Sequence, residues 1–143
     1  MTMKKMLITC VSTTVAYVLS EMVLHGGLLS GLYHETAQLW RPEAEMKNLF
    51  LLMILGEACF GFFFGLIYLK GYEMGKGTLT QGLRYGLLMG LMMGPATGLI
   101  WYVVLSIPVS LALGWGLGCL AQLLIVGAVA GLVTGDRPEW HKL

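Results

Sequence analysis

Two residues with acid–base and metal-binding chemistry stand one helical turn apart in the stretch SEMVLHGGLLSGLYHE, residues 20–35. Glu21 and His25 have the i, i+4 spacing that brings two side chains together on one helix face. Their carboxylate and imidazole groups could exchange a proton or share a metal ion. His34 and Glu35 extend this to a weak candidate metal set, but the spacing matches no specific metal site, and a histidine pair without a metal is the simpler interpretation.

Three further polar residues, Glu57, Thr97 and Gln122, interrupt long apolar segments. A charged, unpaired carboxylate at membrane depth is costly, so an intramembrane glutamate indicates a functional site by default. All nine Lys and Arg residues lie at segment ends or in connections, so neither Glu21 nor Glu57 has a basic partner within its segment. We expect each carboxyl group to be protonated, hydrogen-bonded across helices, or paired with His25 or a bound cation.

The composition predicts an integral membrane protein. The chain has 143 residues, of which 57% are hydrophobic and only 12% are charged, whereas a soluble domain has about 25% charged residues. A net charge of +1 offers no basic patch for nucleic acid. The three cysteines, Cys10, Cys59 and Cys119, form no paired-cysteine motif. The sequence contains no catalytic motif that would indicate an enzyme, and it indicates no particular cofactor.

Four apolar segments, about 7–32, 48–69, 83–106 and 111–134, are each long enough to cross a membrane. Because these segments are apolar on all sides, and backbone groups must be satisfied within lipid, they are predicted to be helices rather than strands of a barrel. The sequence therefore predicts one all-α domain over residues 1–143, a bundle of four transmembrane helices. Pro42, followed by two glutamates, favours a helix start near that residue.

The distribution of basic residues predicts the orientation of the bundle. If the N-terminus is cytoplasmic, that side carries seven basic residues: Lys4, Lys5, Lys70, Lys76, Arg84, Arg137 and Lys142. The opposite side carries only Arg41 and Lys47. Because Lys and Arg are enriched in cytoplasmic connections, both termini are predicted to face the cytoplasm.

The polar residues are predicted to cluster in the outer half of the bundle. At the helical rise, Glu21 and Thr97 lie ~21 Å from the cytoplasmic side, while Glu57 and Gln122 lie ~14 and ~15 Å from the outer side of a core ~30 Å thick. His25 would link this cluster to the outer surface. We therefore predict that these five side chains line a ligand-binding site.

Glycines recur at four-residue intervals in three of the segments and predict close helix packing. We assign this packing role to ten glycines: Gly61, Gly65, Gly82, Gly86, Gly90, Gly94, Gly98, Gly118, Gly127 and Gly131. The same faces are candidates for self-association of the chain into a homo-oligomer.

Four short motifs carry a resemblance to a known group of proteins. The motifs LWRPEAEM (39–46), IYLKGYE (67–73) and QGLRYGL (81–87), together with LHGGLL, resemble a family of small four-span proteins of the bacterial inner membrane. The resemblance implies a multi-pass inner-membrane location and carries no established activity or catalytic residue. Small multidrug-resistance transporters also place one glutamate in a first span, but Glu57 is additional here, and their surrounding pattern is missing.

Two hypotheses of function follow from these features. In the first, the chain binds or transports a small ligand or cation through the polar cluster. In the second, it is a structural or accessory subunit of a larger membrane complex, and the polar residues only hold the helices together. A membrane enzyme is a third hypothesis, which no sequence motif supports.

Overall fold

The computed structural model describes residues 3–135, and among these it contains helices and no strand, which confirms the predicted all-α class. The α-helices are α1 (Met3–Glu21), α2 (Ser30–Glu35), α3 (Glu43–Lys70), α4 (Thr78–Pro95), α5 (Trp101–Val104) and α6 (Val109–Thr134). Two π-helical segments prolong α1 and connect α4 to α5; they are Met22–Leu28 and Ala96–Ile100.

Four helices are long and apolar enough to cross a membrane, and we refer to them in chain order as the first to fourth spans. They are Met3–Leu28, Glu43–Lys70, Thr78–Val104 and Val109–Thr134. Arg137 and Lys142, which the orientation prediction counts, lie outside the described residues.

The helices begin before the apolar segments that predict them. The second span starts at Glu43, directly after Pro42, and its first turn is acidic, as the positive end of a helix dipole favours. The fourth span starts at Val109, directly after Pro108. Hydropathy locates the apolar part of a span, whereas helical hydrogen bonding continues through the polar turn that precedes it.

The first span packs against the second and the fourth, and the fourth packs against the third. The second and third spans meet through aromatic side chains: the rings of Phe64 and Tyr85 lie 4.7 Å apart, and the Tyr85 hydroxyl donates to the Phe64 carbonyl at 3.2 Å. Each span therefore has two neighbours, in the cyclic order first, second, third, fourth.

The third and fourth spans pack through a seam of glycines. A Cβ atom added at any of five third-span glycines would lie less than 3.0 Å from fourth-span atoms; these are Gly82, Gly86, Gly90, Gly94 and Gly98. From the other side, added Cβ atoms at Gly127 and Gly131 would meet backbone of the third span. The seam is backbone against backbone at every one of these glycines except Gly90, where the nearest atom belongs to the Leu120 side chain.

The first and second spans have a shorter seam of the same kind. Added Cβ atoms at Gly61 and Gly65 would meet Thr14 and Thr13 of the first span, and the Thr13 hydroxyl donates to the Gly61 carbonyl at 2.9 Å. At Gly118 the space is filled by the side chain of Leu24. All ten packing glycines thus face neighbouring spans of the same chain.

The second span leaves the bundle towards the end where α2 lies. Every residue from 41 to 53 is exposed, whereas the same span buries Gly61, Phe64, Gly65 and Tyr68 further along. The end of the bundle that carries α2, which we call the α2 end, is therefore open between the first and second spans.

We expect Gly86→Ala to lower the free energy of unfolding by about 1–3 kcal/mol, because its Cβ would overlap the backbone carbonyl of Leu123. Equilibrium unfolding of the purified protein in detergent measures this loss. Gly56→Ala is the matched control, because no atom lies within 4 Å of a Cβ added there. Equal stability of the two variants would contradict the seam.

Candidate functional site

Glu21 and His25 lie in the first span, where the α-helix changes to the wider π-helix. Glu21 ends α1, and His25 lies in the π-helical segment that follows. Gly26 and Gly27 stand within this segment, and nothing lies within 4 Å of a Cβ added at either. π-Helical turns recur at functional sites in helices, and here one begins directly after the carboxylate.

Glu21 and His25 are in contact, as their i, i+4 spacing predicts. His25 Nε2 lies 3.1 Å from Glu21 Oε2. The Glu21 side chain is 18% exposed and that of His25 is 37% exposed, so the carboxylate is the more shielded of the two. The His25 imidazole therefore partly covers the Glu21 carboxylate and is itself the more exposed group of the pair.

Tyr33 and Trp115 hold the second nitrogen of His25. The Trp115 indole N–H donates to the Tyr33 hydroxyl oxygen at 2.6 Å, and this hydroxyl lies 2.5 Å from His25 Nδ1. Burial raises the pKa of Tyr33 to about 12, so the phenol keeps its proton at neutral pH. The chain of hydrogen bonds links the fourth span to α2 and the first span.

The Trp115 indole N–H sets a direction for this chain. It can only donate, so the oxygen of Tyr33 accepts from Trp115, which leaves the hydroxyl proton of Tyr33 available for His25 Nδ1. We assign the proton of the neutral imidazole to Nε2 on this basis, where it donates to the Glu21 carboxylate. The arrangement orients His25 towards Glu21 and supports an ionised carboxylate there.

Thr97 and Gln122 lie behind Glu21 in a small cavity of about 110 Å³ that Tyr17 also lines. The Gln122 amide donates to the Tyr17 carbonyl at 3.4 Å, and Gln122 is 4% exposed. The Thr97 hydroxyl donates to the Met93 carbonyl of its own helix. Glu21 lines the same cavity, and the Thr97 hydroxyl is satisfied by its own backbone.

Glu57 lies in a second, larger cavity of about 750 Å³, between the first and second spans. Twelve residues line it: Glu21, Met22, His25, Gly26, Tyr33, Trp40, Met46, Phe50, Met53, Ile54, Glu57 and Trp115. Because Met46 and Phe50 belong to the exposed part of the second span, the cavity reaches towards the α2 end. Three residues line both cavities and form the boundary between them: Glu21, His25 and Trp115.

One carboxylate oxygen in the larger cavity has no hydrogen-bond partner. Glu57 Oε2 is buried, and no donor among residues 3–135 reaches it. A charged carboxylate in apolar surroundings without a donor is unstable by several kcal/mol. Protonation of the carboxyl group, or a cation bound beside it, removes the cost of the buried charge.

The structure therefore divides the predicted site. Glu21 and His25 lie together with Thr97 and Gln122 on one side and with Glu57 on the other. His34 and Glu35 are exposed on α2 and line neither cavity. Within the described part of the chain, no three His, Cys, Asp or Glu side chains are placed to hold a metal ion.

Sequence reasoning missed the aromatic wall of the larger cavity. The rings of Tyr33 and Trp40 lie 5.3 Å apart, and those of Trp40 and Trp115 lie 6.1 Å apart. Tyr and Trp at the end of an apolar segment are typical of a membrane interface, so their position alone does not indicate a binding site. The one available signal was the i, i+8 placement of Tyr33 after His25.

We expect Tyr33→Phe to destabilise the protein by about 1–3 kcal/mol, because it leaves the buried Trp115 N–H without an acceptor and His25 without its donor. The free energy of unfolding in detergent measures the effect. Tyr102→Phe is the control, because Tyr102 is 43% exposed. If the two substitutions lower the free energy of unfolding equally, the hydrogen bonds from Trp115 to Glu21 do not stabilise the site.

No family model, no curated protein and no solved structure matches the chain. The function is therefore argued from the two cavities and from the side chains that line them.

Proposed function

We propose that this chain is a multi-pass protein of a bacterial inner membrane that binds a small cation in the cavity shared by Glu21, His25 and Glu57. Four candidate spans and the apolar composition support the membrane location. The excess of seven basic residues over two supports cytoplasmic termini, which turns the α2 end and its cavity outward.

The buried, unpartnered oxygen of Glu57 is the observation that carries the proposal. Hydrogen-bond donors of the protein could satisfy this oxygen in a purely structural site, but none does so among the described residues. The carboxyl group instead borders a cavity with room for a ligand. A proton neutralises Glu57 in the empty cavity, and a cation takes its place when the cavity is occupied.

Glu21 has a different role, because its carboxylate is already engaged by His25. Tyr33 and Trp115 hold the imidazole in place and so keep Glu21 directed to the boundary of the two cavities. Glu21 thus supplies a fixed negative charge beside the variable charge of Glu57. Two carboxylates of different protonation in one cavity favour a cation over a neutral or anionic ligand.

Binding, rather than transport, is the step that the arrangement supports most directly. On the far side of the site the first and second spans close upon each other, where Gly61 meets Thr14 and the Thr13 hydroxyl bonds the Gly61 carbonyl. Transport would require this seam to separate, so that the cavity reaches the opposite end of the bundle.

An accessory role in a larger membrane complex is the second candidate. The exposed stretch 41–53 favours it, because this part of the second span lies outside the bundle and presents apolar side chains such as Leu51, 80% exposed. This role predicts co-purification with other membrane chains in mild detergent. Isolation as a stable single component with a functional cation site would count against it.

We expect dicyclohexylcarbodiimide, which modifies protonated carboxyl groups in apolar surroundings, to label Glu57 and to leave Glu73 unlabelled. Glu73 is the internal control, because it is exposed and pairs with Lys76, which holds the pKa of its carboxyl group below the usual value. Mass spectrometry of the digested protein locates the adduct. Glu57→Gln removes the labelled site and leaves the fold in place, because the amide keeps the shape of the acid.

Cations should protect Glu57 from this reagent. Three cations are tested: Na⁺, Mn²⁺ and tetraphenylphosphonium. Tetraphenylborate is the control, because it is an anion of the same shape as tetraphenylphosphonium. Protection by at least one cation, and none by the anion, is the expected result. Labelling of Glu57 that no cation of the panel reduces would overturn the proposed function.

The orientation has its own test. Green fluorescent protein fused to the C-terminus should fluoresce, and alkaline phosphatase fused there should be inactive, because the C-terminus is proposed to face the cytoplasm. Phosphatase fused within the connection 36–42 should be active. The reverse pattern would place the larger cavity on the cytoplasmic side.

A further inference from the structure

We infer that the ligand of the larger cavity is an organic cation, in which an ammonium group carries an apolar body. The inference rests on the proposed function, because it takes the cavity to be a cation site and adds the chemical class of the cation. Three features of the cavity carry it: its size, its apolar wall along the second span, and the ring faces opposite that wall.

The cavity is far larger than a metal ion requires. Its volume of about 750 Å³ lies in the range of about 300–1,000 Å³ that is usual for small-molecule sites. A metal ion with a few water molecules would fill a small part of it, since one water occupies about 30 Å³. The remaining space has to be filled by a body attached to the charge.

The second span gives the cavity a continuous apolar wall. Met46, Phe50, Met53 and Ile54 follow one helix face that leads to Glu57. At the helical rise, this wall runs about 16 Å from Glu57 to Met46. A ligand whose ammonium group meets the carboxylate can therefore lay an apolar body along the wall towards the α2 end.

The two tryptophans that line the cavity have their indole N–H groups engaged within the protein. The Trp115 indole N–H is bonded to Tyr33, and the Trp40 indole N–H donates to Thr36 Oγ1 at 3.0 Å. Since both N–H groups are used within the protein, the rings of Trp40 and Trp115 are left to contact a ligand by stacking and by cation–π attraction. Tryptophan faces attract ammonium groups more strongly than those of any other side chain.

The nitrogen and oxygen donors do not converge as metal ligands would. Both nitrogens of His25 are occupied, one by Glu21 and one by Tyr33. Within residues 3–135, no group of three metal-ligating side chains of the His, Cys, Asp or Glu type is placed to hold a metal ion. A soft, bulky cation needs no such coordination, because a carboxylate, a second negative charge and ring faces suffice.

The test compares three soluble probes on the full-length protein in nanodiscs of phosphatidylglycerol. Phenyltrimethylammonium has the charge and the ring, tetramethylammonium has the charge alone, and Mn²⁺ is the metal. Isothermal titration calorimetry should show phenyltrimethylammonium binding about tenfold more tightly than tetramethylammonium. Binding of both ammonium probes should be lost in Glu57→Gln and kept in Glu73→Gln.

The aromatic wall is tested with matched tryptophan variants. Trp40→Leu should weaken phenyltrimethylammonium binding about tenfold, whereas Trp40→Phe should retain most of it, because a ring face remains. Trp101→Leu is the control, because Trp101 is exposed and does not line the cavity. If Trp40→Phe and Trp40→Leu bind equally, the ring face has no role and the inference is wrong.

The other outcomes separate this inference from the proposed function. Mn²⁺ binding that depends on Glu57, with no binding of phenyltrimethylammonium, would overturn the organic class and leave the cation site standing. Equal affinity for the two ammonium probes would show that no apolar body is recognised, which also overturns it. Absence of binding by all three probes would contradict both proposals.

An ammonium group can reach this cavity from solution or from a lipid headgroup. Repeating the titration in nanodiscs that contain phosphatidylcholine distinguishes the two sources. Weaker apparent binding of phenyltrimethylammonium would identify the headgroup as a competitor, and unchanged binding would identify a free ligand. Both results support the ammonium class.

Discussion

Backbone contact at glycine is the constraint on which the positions of the side chains in the candidate site depend. The third and fourth spans touch along the whole seam from Gly82 to Gly98, and the first and second spans touch at Gly61 and Gly65. These seams bring the helices closer than side chains would allow, and the shorter one joins the first and second spans on the side of Glu57 that lies away from α2. From Gly61 towards the α2 end, no glycine of the second span contacts the first span. The two helices separate there and leave the cavity that contains Glu57.

The site is completed by the change in helix type after Glu21. The π-helical turn carries His25 to the boundary of the two cavities, where Tyr33 and Trp115 fix its orientation. The result is an asymmetric pair of carboxyl groups: Glu21 is held by a histidine, and Glu57 has one oxygen without a partner. In the proposed function, this asymmetry is what would let the site change its charge, whereas a polar contact that only joins helices would leave both carboxyl groups hydrogen-bonded.

Much of the fold could be predicted from the sequence, because span length, glycine spacing and the prolines depend on local chemistry. The grouping of Glu21 with Gln122 followed from depth alone, since the helical rise is constant. The cavity around Glu57 could not be predicted, because it depends on the angle at which the second span leaves the first. The hydrogen bonds of Tyr33 and Trp115 to the site could not be predicted either. Aromatic residues at the end of an apolar segment are typical of any membrane interface, so their position alone does not indicate a site.

In the proposed site, the Glu57 carboxyl group is neutralised by a proton when the cavity is empty and by a cation when it is occupied. Infrared difference spectroscopy of the protein in lipid, recorded with and without phenyltrimethylammonium, tests this directly. Ligand binding should remove the C=O stretch of a protonated carboxylic acid and add the bands of a carboxylate. Both changes should be missing in Glu57→Gln. If a ligand binds without changing these bands, or if the changes persist in Glu57→Gln, the exchange of proton for cation at Glu57 is ruled out.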